Sequence, residues 1–263
     1  MDSPLEEFPR QTGEFLLSSG PEAVTAPAGA VPGFLPSRDA LHFANAWPSE
    51  PDVVIDLPIA GKLKIGDASR GLCGGMVFAV RDLFEAHLPP PPDTAPPSSG
   101  SPLYGYVVRR LFDSFDLPGG VLRYYRWMNT PDEDRSFLGV ARRGLAWLTI
   151  VEEWPKIRAD IDAGRPSPLG LVTVRSANPR DLGTNHQALA YGYELDGTAL
   201  TLRVYDPNAD PASADGVALS LDVAEPAART PISHNLAIAT PVRGFFRVRY
   251  GFADPAGALG SAR

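Results

Sequence analysis

The sequence predicts an α+β fold with its helices in the first half and an antiparallel sheet in the second. Up to about residue 163, apolar residues recur at helical spacing. After Gly164-Arg165-Pro166 the period changes from 3.6 to 2, and five strand-like runs follow. Asp196-Gly197 between two of those runs is a hairpin signal, which makes at least that pair antiparallel.

Each element has its own justification. Residues 1–33 are rich in Pro, Gly, Ala, Ser and Glu and are expected to form a flexible tail. Residues 34–253 form one domain, followed by a short tail at 254–263. Phe34 to Trp47 leads into the fold, Asp52 to Leu57 is a short strand, and Gly61 to Leu72 is a loop. From Cys73, apolar side chains fall at Met76, Val77, Val80 and Phe84, the spacing of one helix face. Pro89 to Pro92 end that helix, and the Pro/Ser stretch to Pro102 is an extended linker. Tyr104–Phe115, Val121–Met128, Phe137–Ile150 and Glu152–Ala163 are further helical candidates. The strands are expected at Leu169–Val174, His186–Glu194, Thr198–Asp206, Val217–Val223 and Phe245–Tyr250.

Composition excludes several function classes. A net charge of -7, with lysine only at positions 62, 64 and 156, argues against nucleic acid as a partner. No stretch approaches the roughly 18 continuous apolar residues of a membrane span. The acidic start, Met1-Asp2-Ser3-Pro4-Leu5-Glu6-Glu7, is no secretory signal. A single cysteine fits a reducing compartment, so a cytoplasmic location is expected. The four histidines show no metal-ligand spacing, no phosphate loop is present, and neither cofactor nor metal is expected.

Cys73, in Gly71-Leu72-Cys73-Gly74-Gly75-Met76, opens its helix. The positive end of the helix macrodipole favours a thiolate there, the nucleophilic form of cysteine. His186 opens a strand and Asp206 closes the next, in Tyr205-Asp206-Pro207-Asn208. A thiol, an imidazole and a carboxylate are the nucleophile, base and orienting group of a thiol hydrolase. Two registers compete for the hairpin joining the last two. A two-residue loop, Asp196-Gly197, turns His186 away from Asp206. A three-residue loop, Leu195-Asp196-Gly197, sets them directly opposite each other and separates polar from apolar faces better, so it is preferred.

On Cys73-Gly74 opening a helix, His186 opening a strand that runs to Gly192-Tyr193, and Asp206-Pro207 ending the next, the chain resembles the papain-like cysteine peptidases. Within them it is most similar to the bacteriocin-processing double-glycine peptidases and their bacterial relatives. The resemblance implies a papain-like fold with the nucleophile helix packed on the sheet. It also implies Cys73 as nucleophile, His186 as base and Asp206 as orienting residue, with Asn208 as its substitute. Papain-like enzymes usually carry a Gln about six residues before the nucleophile, where it donates to the oxyanion. Here that position is Asp67, leaving Ser69 or a loop amide as the second donor. The gap from Cys73 to His186 is also shorter than the roughly 130 residues or more of papain-type enzymes. The resulting expectation is a cysteine peptidase or amidase acting on a peptide or small amide. The alternative is a catalytically inactive relative that binds a peptide or protein.

Overall fold

The period-2 runs of the second half assemble into a seven-stranded sheet, and the helices pack against it. The computed structural model describes residues 28–47, 53–57, 61–65, 71–116, 119–137 and 139–259. The sheet strands are β1 (Ala28–Ala30), β6 (Ser167–Val172), β7 (His186–Asp196), β8 (Ala199–Tyr205), β9 (Ala218–Asp222), β10 (Ser233–His234) and β11 (Gly244–Arg247). Their order is β10-β9-β8-β7-β6-β11, with β1 beside the second half of β7, and every pairing is antiparallel. β7 is the centre. Its first eight residues are buried, as a strand flanked on both edges and covered by helices must be.

The hairpin differs from both sequence registers. Asp196 pairs with Ala199, so the loop is Gly197-Thr198, with Gly197 at φ +59°. That is the first loop position, where a type II′ turn uses glycine. The register then shifts at a β-bulge between Ala190 and Gly192, from Gly192↔Arg203 to Ala190↔Val204 and Leu189↔Tyr205. Continued past the last pair, this register sets Asp206 across from Ala188, two residues along the same face from His186. The two polar residues are therefore diagonal neighbours rather than directly opposed.

Among the described residues, six α-helical segments pack with the sheet: α1 (Pro36–Asp39), α2 (Cys73–Glu85), α3 (Pro102–Ser114), α4 (Gly119–Met128), α5 (Leu145–Trp147) and α6 (Trp154–Asp162). A wide helical turn, Leu148–Glu153, links the last two. α2 packs on α3 and on β7. The contact with α3 is close because Gly75 has no side chain: a methyl there would overlap the Val107 carbonyl. Further along α2, fully buried Asp82 accepts hydrogen bonds from Tyr106 (2.8 Å), Arg110 (2.6 Å), Tyr250 (2.7 Å) and the Ala253 N–H (3.1 Å). Burial raises its carboxyl pKa, a shift that these donors and the Arg110 charge oppose without reversing. One carboxylate thus ties α2 to α3 and to the segment after β11.

Other elements depart from the sequence expectations for local reasons. Gly61–Ile65 is not loop but strand β3, paired antiparallel with β2 (Val53–Leu57). The first part of the expected helix 137–150 is instead a hairpin of β4 (Arg135–Phe137) and β5 (Val140–Arg142), with Gly139 at φ +80° in its turn. Gly144 then allows close backbone contact with Glu133, and the helix begins only at Leu145. Of the expected N-terminal tail, residues 28–30 form β1, while 1–27 lie outside the described residues. The 89–101 linker is pinned by a hydrogen bond from the Trp47 indole to the Pro97 carbonyl (2.9 Å). Near the C-terminus, Ala256–Ala258 form a short helical turn with Ala258 buried. Among the described residues no helix is long and apolar enough to cross a membrane.

The contact at Gly75 yields a paired expectation. Gly75→Ala should cost about 1–3 kcal/mol, because backbone must move to admit the methyl. Gly105→Ala, on the exposed face of α3 with nothing within 4 Å of the added carbon, should stabilise by about 0.5–1 kcal/mol. Urea unfolding of both variants checks the signs. Equal effects would mean that α2 and α3 are not in backbone contact.

Candidate functional site

Cys73 is the first residue of α2 and is 6% exposed. No side chain caps that helix start, since the residue before it is Leu72. Leu72 therefore does not compete with the thiol for the positive end of the dipole. His186 is the first residue of β7 and 4% exposed, and Asp206, which follows β8, is 1% exposed.

The imidazole is held from one side by Asp206, with Nε2 2.7 Å from Oδ1. Nε2 is thus occupied, and Cys73 lies close enough to the ring to influence it electrostatically. Burial disfavours the imidazolium, but the influence of Cys73 and the hydrogen bond and charge of Asp206 outweigh it and push the ring pKa up to about 10. Asp206 is itself tightly held: Oδ1 also accepts the Asn208 N–H (2.9 Å), and Oδ2 accepts the Ala237 N–H (2.7 Å). Burial would raise its carboxyl pKa. The His186 hydrogen bond and charge, with those two backbone donors, more than reverse this and hold it below the ordinary value. A buried carboxylate that accepts three hydrogen bonds, with both oxygens engaged, is a fixed anchor for an imidazole.

The structure thus brings Cys73, His186 and Asp206 together. The other residues singled out from the sequence fall elsewhere. Asn208 turns its side chain to Asn45, whose Nδ2 donates to Asn208 Oδ1 (2.9 Å), and it reaches the site only through its backbone N–H on Asp206. Asp67 and Ser69 lie outside the described residues.

Three further side chains border the site: Ser114 and Tyr124, which the sequence does not single out, and Gln187, which it marks only as a neighbour of the base. A methyl on Gly74 would overlap Ser114 Oγ and lie 2.7 Å from Gln187 Nε2, so the side chains of Ser114 and Gln187 close on the residue after the nucleophile. Tyr124, on α4, is buried with its hydroxyl 3.4 Å from the His186 carbonyl. Its phenol pKa is raised far above the ordinary value, by burial first and then by the Cys73 charge, so it stays protonated. The only sequence signal for these was adjacency: Gln187 follows His186 as Gly74 follows Cys73. Among the described residues no cluster of His, Cys, Asp or Glu is arranged to hold a metal ion.

No family model, curated protein or solved structure matches the chain. Functional assignment therefore rests on the chemistry of the site itself.

The raised imidazole pKa has a thermodynamic sign. A ring whose folded pKa lies above its unfolded value contributes stability that is complete below about pH 6.5 and is lost as pH rises towards about 10. Asp206, held low, contributes stability above its ordinary value of 3.8 that is lost as pH falls through the depressed one. Unfolding free energy measured in urea should therefore decline between pH 6.5 and 10, and Asp206→Asn should flatten that decline. An identical slope in the variant would remove Asp206 as a cause of the shift.

Proposed function

We propose that the chain is a papain-like cysteine hydrolase, a peptidase or amidase acting on a peptide or small amide in the cytoplasm. The observation that carries this reading is a buried imidazole anchored by a carboxylate on Nε2, with the only cysteine near enough to raise its pKa. A core histidine needs only one satisfied partner. Here a second polar group, a thiol at a helix N-terminus, also bears on the ring, which supports reading the three as nucleophile, proton carrier and orienting group.

The chemistry follows from the charges. The Cys73 thiolate attacks the acyl carbon, and the charge that develops on the carbonyl oxygen is met by backbone N–H groups at the start of α2. His186, protonated at neutral pH, gives its proton to the departing amine as the C–N bond breaks. The neutral ring then takes a proton from water, and the hydroxide equivalent attacks the thioester. The carboxylic acid leaves, and thiolate and imidazolium are restored. Asp206 stays ionised throughout and keeps the ring in place.

A second reading, a binding module that retains the fold without turnover, is favoured by the low exposure of Cys73 and by Asp67 at the position of the usual oxyanion Gln. Intact-mass spectrometry after exposure to a library of electrophilic peptide probes separates the two. The hydrolase reading expects stoichiometric labelling at Cys73 near pH 7 that slows at least about 100-fold in His186→Ala, the scale of a lost proton-transfer partner. Folded protein that no probe labels would favour the binding module.

A further inference from the structure

Gln187 is 4% exposed, and its amide orientation is fixed by its neighbour. Ser114 donates its hydroxyl proton to the Leu111 carbonyl (2.8 Å), so towards Gln187 Nε2 (3.1 Å) it can only accept. The NH2 end of the amide therefore faces Ser114 and Gly74, beside the nucleophile. An amide nitrogen carries two protons. Ser114 takes one of them.

The other end of the amide, Oε1, is buried with no hydrogen-bond partner. An orphaned buried acceptor costs free energy, and a methionine of similar shape would avoid that cost. Ser114 would lose nothing by the exchange, because its proton is already placed on Leu111. The fold alone thus gives no reason for glutamine here, and such groups in native structures often mark function.

We propose that Gln187 is a catalytic residue, supplying from β7 the side-chain hydrogen bond to the oxyanion that position 67 does not supply. This rests on the hydrolase reading above. The second Nε2 proton is the donor, and Ser114 holds the amide so that it faces the start of α2. The site is screened from water, where a donor to developing charge is worth most. His186 and Gln187 leave β7 on opposite faces, yet both reach the start of α2: His186 at Cys73, and the Gln187 amide nitrogen at Gly74.

Two reagents isolate the oxyanion step. Acylation by p-nitrophenyl acetate passes through a tetrahedral oxyanion: the Cys73 sulfur bonds to the acetyl carbon, p-nitrophenolate leaves and an acetyl thioester remains. Alkylation by iodoacetamide displaces iodide and forms no oxyanion. In Gln187→Met, the acylation rate should fall about 100-fold, the loss typical for one oxyanion donor, with alkylation unchanged and the urea midpoint no lower. Ser114→Ala, which frees the amide but leaves it in place, should lose about tenfold in acylation alone, within the range for one hydrogen bond. If both reactions slow together, Gln187 positions the thiol and imidazole and is no oxyanion donor. If neither slows, it has no part in the chemistry. A wild-type protein that is alkylated at Cys73 but never acylated would overturn the hydrolase reading itself, and the donor with it.

Discussion

Near its turn, the β7–β8 ladder pairs Leu195 with Leu200 and Gly192 with Arg203. Run on without interruption, that register would bring Asp206 opposite Leu189, on the face that carries Gln187. Its carboxylate would then point away from His186. The bulge between Ala190 and Gly192 adds one residue to β7 and reverses that parity, because side chains alternate with period 2. Tyr191, the extra residue, is held on all sides. Its carbonyl accepts the Val31 N–H (2.8 Å), its hydroxyl donates to the Asp215 carbonyl (3.0 Å), and its ring lies against Phe34. The site depends on this one irregularity. Without it, the imidazole and the carboxylate would occupy opposite faces of the sheet.

A charged unit buried to this degree is costly to build and is tolerated only when its partners are complete. Asp206 meets that condition through two backbone N–H groups and the imidazole. The imidazole meets it through Asp206 and the thiol. The carboxylate is the rigid end of this chain of interactions, and the sulfur, 6% exposed at the start of α2, is its other end. The neighbouring polar groups gather around Gly74, where a glycine leaves room for them.

Much of this arrangement is legible in the sequence because it is written in local patterns. The 3.6-residue period places α2, α3 and α4 within a few residues of their observed limits, and the period-2 runs mark β6 to β9 and β11. Where a single backbone event outweighs the pattern, reading from sequence fails. The apolar run around Phe137 and Val140 has helical spacing, but Gly139 in the left-handed region turns it into a hairpin. The hairpin register is misjudged because a bulge leaves no composition of its own. Its one trace is Gly192 inside a strand, a residue that often marks a bulge. The pairing of His186 with Asp206 is nonetheless recovered, since the error in the loop and the missing bulge together shift the register by two residues and leave the face unchanged. Gln187 is set aside in the sequence, as a mere neighbour of the base, for a different reason. Its significance lies in contacts with Ser114 and Gly74, both distant in sequence, which no periodicity reports.

The state of the His186 ring tests this account most directly. Its titration can be followed by nitrogen-15 NMR in the wild type and in Cys73→Ala. The ring should remain protonated through pH 8 and titrate towards pH 10 in the wild type, and its pKa should fall when the thiol is removed. A ring that titrates at or below its ordinary value of 6.5 in both proteins would contradict the account, leaving His186 a buried neutral side chain with no charged partner in the thiol.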